Sequence, residues 1–145
     1  MGASAPIFVN IIIMRTLDDI DLKRLFGKAK EAAKNAYCPY SNFPVGAVII
    51  GNDYKEYIGC NVENKSYGMT ICAERNAIFN AIANGCKKIE AVVIALPVPN
   101  IGPCGACRSV IDEFADGDIC VAFGSEFNNL VKTTVKELYT NDFSH

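Results

Sequence analysis

The amino-acid sequence predicts an α/β fold, a single sheet covered by helices. Two observations lead there. Segments with helical apolar spacing alternate with short β-branched runs, in the order β-β-α-β-α-β after a first helix. The chain has 145 residues, 50% hydrophobic and 21% charged, which is one domain with enough apolar side chain for a core. No apolar run approaches the roughly 18 residues of a membrane span.

The elements follow in order. Thr16 with Asp19 three positions on has the form of a capping box, with Asp in place of Glu or Gln. Leu22, Leu25, Phe26, Ala29, Ala33 and Ala36 then recur at helical spacing, which predicts a helix over 17–37, ended by Pro39. Residues 45–50 and 54–60 read as two strands joined by a Gly51-Asn52-Asp53 turn. Residues 61–70 are a polar loop. Ala73, Ala77, Ile78, Ala81 and Ile82 predict a second helix, closed by Asn84-Gly85. The uninterrupted apolar run 91–96 predicts a buried central strand. Cys107, Val110, Ile111 and Phe114 predict a third helix ending near Asp116-Gly117, before a strand over 119–123 and a short helix over 134–138. Residues 1–15 fit poorly with the rest. Ile11, Ile12 and Ile13 are an edge strand, an oligomer contact or part of an extension before a start at Met14, so 1–15 is taken as an N-terminal extension and 16–145 as a single domain without repeat or linker.

Lys and Arg number 14 against 16 Asp and Glu, a formal net charge of −2. That balance argues against capture of nucleic acid, and the hydropathy argues against a membrane partner. The seven cysteines are an odd number for a disulfide scaffold. The apolar stretch 7–14 has no positive charge before it and no small-residue cleavage site after it, so it makes a poor secretory signal. A reducing, cytoplasmic setting with thiols free or on metal is the expectation. Cys38, Cys60, Cys86 and Cys120 are read as buried core thiols.

Two patterns carry chemistry: Cys72-Ala73-Glu74-Arg75 and Pro103-Cys104-Gly105-Ala106-Cys107. A C-x-x-C pair can place two sulfurs on one metal, and a helix start stabilises the thiolates that bind it. Cys72, Cys104 and Cys107 together give three thiolates. The lone histidine, His145, would complete a closed site only if the tail folded back, so an open zinc site with room for water is the better reading. Glu74 can serve that water as general base and then general acid. Alone, Glu74 would only complement a helix dipole. Arg75 opposes that dipole. Unless it is a plain surface residue, it offsets the net negative charge of three thiolates on zinc by donating to the sulfurs.

The ordered set of motifs resembles the small homotetrameric cytidine deaminases. Its pieces are Tyr40-Ser41-Asn42-Phe43-Pro44-Val45-Gly46-Ala47, Gly59-Cys60-Asn61-Val62-Glu63-Asn64, Tyr67, Cys72-Ala73-Glu74-Arg75 and Pro103-Cys104-Gly105-Ala106-Cys107-Arg108. The resemblance implies a three-layer α/β/α sandwich around a mixed five-stranded sheet, with one Zn²⁺ per chain on Cys72, Cys104 and Cys107. It implies hydrolytic deamination of cytidine and 2′-deoxycytidine in pyrimidine salvage, with Glu74 as proton shuttle. Asn61 and Glu63 match the pair that holds the ribose hydroxyl, Phe43 the aromatic residue beside the pyrimidine, and the Ala73 backbone a group that reads the base edge. Tyr67 matches a tyrosine at the subunit contact, and Phe143 a tail phenylalanine that reaches into a neighbour's pocket. A homotetramer with shared active sites is implied with them. Ser109 stands where the family commonly has Gln, and Leu138-Tyr139-Thr140-Asn141 stands where it has a Leu-Leu-Pro-Gly-like run.

Three other readings compete. A deaminase for another base or for a nucleotide would have to tolerate Glu63 beside a phosphate. A non-catalytic zinc domain leaves Asn61, Glu63 and Glu74 without a purpose. A thioredoxin-like redox protein has no use for Cys72.

Overall fold

The computed structural model describes residues 17–138. The segment 1–15, Thr16, Phe143 and His145 lie outside the described residues.

Helix α1 spans Asp19–Ala33. Its cap is Asp18, whose carboxylate accepts from the Asp21 N–H at 3.0 Å, so the capping residue is not Thr16. Leu22, Leu25, Phe26 and Ala29 are buried, as their spacing predicts. The helix stops short of residue 37 because the backbone of Tyr37 is used elsewhere. Its N–H donates to Asn61 O at 3.0 Å and its carbonyl accepts from the Glu63 N–H at 2.8 Å.

The sheet has five strands: β1 (Gly46–Gly51), β2 (Glu56–Cys60), β3 (Ile89–Ala95), β4 (Ala115–Gly124) and β5 (Val131–Thr134). Their order is β2-β1-β3-β4-β5. The β3–β4 pair is parallel and the other three pairs are antiparallel, which makes the sheet mixed. Every residue of β3 is buried, as a central strand requires. Helices α2 (Ala73–Ala83) and α3 (Gly105–Phe114) cover one face. Helix α1 covers the other, packing Leu22, Leu25 and Phe26 against Val48 and Val93. The architecture is therefore a three-layer α/β/α sandwich. Each fully buried Leu or Ile in it contributes about 1.5–3 kcal/mol. A short helix, α4 (Val135–Leu138), follows β5.

The C-terminal half of the sheet departs from the sequence reading in two further ways. Asp116 and Gly117 do not stop α3; it ends at Phe114 and β4 begins at once with Ala115. Ile89 pairs with Ala115 and Ala91 with Cys120, so β4 bulges between them, and Gly117 adopts φ +84 there. Strand β5 has no apolar alternation to reveal it, since Lys132 and two threonines follow Val131.

All seven cysteines are free. Only Cys86 of the four expected core thiols is buried; Cys38, Cys60 and Cys120 are half-buried. Cys38 lies in the loop after α1, and Cys60 ends the edge strand β2. Cys120 lies on β4, whereas α1 packs over β1, β2 and β3.

Candidate active site

Both helices that carry the cysteines start at the same end of the sheet. Helix α2 runs away from that end, β3 returns to it, and α3 starts from it again. Helix N-termini at the carboxyl ends of parallel strands are a common place for ligands. Gly59 sets how close α2 lies to β2. A Cβ on Gly59 would sit 2.3 Å from Ala77 N and 2.7 Å from Ala73 O. Two side chains of α2 then tie it down: Asn76 donates to Cys60 O at 2.9 Å and Asn80 to Ile58 O at 3.2 Å. These carbonyls belong to an edge strand and would otherwise lack a protein partner on that side.

Cys72 is the N-cap of α2 and Cys104 the N-cap of α3, and neither side chain caps its own helix. Cys107 lies one turn further into α3 and is fully buried. The three sulfurs lie within 4.8 Å of one another, and those of Cys72 and Cys104 are 3.9 Å apart. A tetrahedral zinc with sulfur bonds near 2.3 Å needs its sulfurs about 3.8 Å apart. The donor set and its spacing fit one zinc ion. The Cys104 thiol is held well below the usual range by hydrogen bonds from Cys107 and Cys72, while those of Cys72 and Cys107 are pushed up. Three sulfurs this close disfavour charge on one another. A divalent cation relieves that crowding by taking all three as thiolates.

Arg75 donates from Nη2 to Cys72 Sγ at 3.2 Å, as its position beside the ligand set predicts. The sulfurs of Cys72 and Cys107 in turn hold its guanidinium charged. Arg108 supports the second motif. It donates from Nε to Pro103 O at 2.8 Å and from Nη1 to Leu138 O at 2.7 Å, tying the turn before Cys104 to the end of α4.

Glu74 is 6% exposed, and burial pushes its carboxyl above the usual range, with the charge of Cys104 adding to the effect. It lines a cavity of about 460 Å³ together with Cys72, Cys104 and the buried Ala73. Phe43, Asn61, Glu63 and Tyr67 line the same cavity. The fold thus gathers around one space all the described residues expected to touch substrate. Tyr67 stands at the rim, 90% exposed.

Asn61 is buried and faces the 40–45 loop. Its Oδ1 accepts from Val45 N at 2.9 Å and its Nδ2 donates to Phe43 O at 2.9 Å. One donor and one lone pair of its amide remain. Glu63 accepts from Tyr40 N at 3.1 Å, Ser41 N at 3.2 Å and the Ser41 hydroxyl. The Ser41 hydrogen bond is the largest cause that lowers its carboxyl below the usual range. Residues given no role from the sequence also line the cavity: Ser41, Thr70, Leu96 and Ile101. Only Ser41 had a signal there, its place between Tyr40 and Phe43 in the first motif.

Known proteins agree with this geometry. The family model for the cytidine and deoxycytidylate deaminase zinc-binding region matches residues 20–123. A cytidine deaminase of Sporosarcina psychrophila is 40% identical over 126 residues, spanning 86% of this chain and 93% of that protein. A cytidine deaminase of Halalkalibacterium halodurans is 39% identical over 129 residues, spanning 86% and 96%. The crystal structure of a cytidine deaminase from Burkholderia pseudomallei matches with a TM-score of 0.75 and 41% identity, over 79% of this chain and 93% of that one. Its counterpart from Mycobacterium tuberculosis matches with a TM-score of 0.70 and 32% identity, over 86% and 98%. With the zinc-binding region matched through both cysteine motifs, the chain belongs to the cytidine and deoxycytidylate deaminase zinc-binding family.

Proposed function

We propose that this chain hydrolyses cytidine and 2′-deoxycytidine to uridine and 2′-deoxyuridine, releasing ammonia. The observation that carries this reading is the buried carboxylate of Glu74 beside three convergent cysteine sulfurs, in a cavity of nucleoside size. Cys72, Cys104 and Cys107 would hold the zinc. When bound, zinc supplies the Lewis-acid charge that lowers the pKa of a water molecule. Glu74 accepts a proton from the water that attacks C4 and passes it to N3; it then takes the remaining proton of the hydroxyl now on C4 and delivers it to the departing amino group. Burial of Glu74 suits it to both halves of that shuttle, because a raised carboxyl pKa lies closer to neutrality. The Ala73 backbone reads the base edge, and Phe43 packs beside the pyrimidine. Asn61 and Glu63 bind the ribose.

The natural setting follows from the same reading: pyrimidine salvage in the cytoplasm, which seven free thiols suit. The assembly is a homotetramer with shared sites. Tyr67 and Met69, 90% and 70% exposed, offer an apolar rim that a second copy would cover. Residues 16–145 form the catalytic unit and 1–15 an extension to it. Among the described residues no helix is long and apolar enough to cross a membrane.

The test is the ultraviolet absorbance of cytidine mixed with the purified protein, with zinc quantified on the same sample. Loss of cytidine absorbance at one zinc per chain is expected, with cytidine 5′-phosphate left unchanged. A zinc-loaded wild type that leaves cytidine intact would overturn the reading.

A further inference from the structure

The Ser41 hydroxyl sits between two residues that line the cavity. It donates to Oε2 of Glu63 and accepts from the Phe43 N–H at 3.1 Å. Glu63 Oε1 takes two further donors, the N–H groups of Tyr40 and Ser41 at 3.1 and 3.2 Å. A carboxylate has about four acceptor positions, two on each oxygen. Both positions on Oε1 are therefore filled from the 40–41 turn, as is one on Oε2. A single acceptor position is left on Oε2. Glu63 lines the large cavity and also a smaller one of about 330 Å³, with Lys65, Tyr40 and Tyr67 around it.

We propose that Ser41 is the positioning residue of the sugar side of this site, committing Glu63 to accept from one free sugar hydroxyl while holding Phe43 in register with it. The inference rests on the deaminase reading above. It adds a basis for selectivity. An acceptor-only carboxylate with one open position takes an O–H donor and rejects a phosphate ester or an O-alkyl group at that hydroxyl, because neither supplies a proton.

The experiment compares Ser41→Ala and Ser41→Thr with the wild type on cytidine and on analogues each lacking one sugar hydroxyl. Ser41→Ala should raise KM for cytidine roughly three- to tenfold with kcat within about twofold, the loss expected when one ordinary intramolecular hydrogen bond goes. Ser41→Thr should restore KM. On the analogue lacking the hydroxyl that Glu63 accepts, most of the Ser41→Ala penalty should vanish. An equal penalty on every analogue, or a fall in kcat at constant KM, would overturn the proposal. A second readout needs no turnover: the ¹³C titration of the Glu63 carboxyl. The titratable groups that line the same two cavities are Tyr40, Lys65, Tyr67, Cys72, Glu74 and Cys104, which the variants leave unchanged. Glu63 should titrate below the usual carboxylate range in the wild type and with Ser41→Thr, and higher with Ser41→Ala. An ordinary Glu63 value in the wild type, or no movement in Ser41→Ala, would reject the clamp. A wild type without deaminase activity would reject the function alone.

Discussion

Arg75 Nη2 lies 3.2 Å from Cys72 Sγ, with the two residues three apart at the start of one helix. The guanidinium thus answers the negative charge of the ligand set from behind the sulfurs. Arg75→Ala should keep its zinc and lose about 10- to 100-fold in kcat, the range for removing a group that tunes a metal ligand. Metal content and steady-state kinetics on one sample check this; loss of the zinc instead would make Arg75 a structural clamp.

Glu74 is the other test of the site. Glu74→Ala and Glu74→Gln should both retain zinc, because the metal cluster is Cys72, Cys104 and Cys107. Turnover should fall by about 10²–10⁴ or more, as for loss of a proton-transfer group. Cytidine hydrolysis within tenfold of the wild type would remove Glu74 from the mechanism.

Gly59 has no side chain because α2 leaves no room for one. Gly59→Ala would put a Cβ 2.3 Å from Ala77 N. The backbone of α2 must shift, at a cost of about 1–3 kcal/mol, and the helix start that carries Cys72 and Glu74 shifts with it. Denaturant unfolding should show the loss of stability and kinetics a matching loss of activity. An unchanged midpoint would mean that α2 accommodates the methyl group freely.

Glu56 joins α1 to the edge strand β2. It pairs with Arg24 at 2.7 Å and Lys28 at 2.9 Å, and Arg24 chiefly lowers its carboxyl from 4.5 to about 2. A carboxyl lowered in the folded state stabilises above its unfolded value and loses that contribution as pH falls through the folded one. Glu56→Gln should therefore cost about 0.5–1 kcal/mol at neutral pH, since the pair is partly exposed. The difference from the wild type should shrink between pH 4.5 and about 2. A constant difference across that range would assign the effect to packing.

Much of the site was legible because its chemistry is local in sequence. Cys72 with Glu74, and Cys104 with Cys107, stand close together in the chain, and each pair marks a helix start. Long-range relations were not legible. Ser41 holds Glu63 across 22 residues, and no local spacing reports a contact made by folding. The strand expected over 119–123 lies inside β4, but its first residues are not legible because Asp116-Gly117 has the composition of a helix stop, while the fold uses it as a bulge. Strand β5 was missed because its burial comes from pairing with β4 and not from an apolar pattern.

The three sulfurs come from two helix starts separated by β3, with Cys104 32 positions after Cys72 in the chain. They meet only after β3 has been threaded into the sheet and α3 has docked beside α2. A metal gripping all three can therefore act late on the folding route. Zinc should slow unfolding while leaving the rate of refolding nearly unchanged, a comparison that stopped-flow denaturation with and without a chelator makes directly. The ion would then be a kinetic latch as well as a reagent. A chain that loses it would open faster, lose equilibrium stability by the same factor, and expose its buried and half-buried thiols to oxidation.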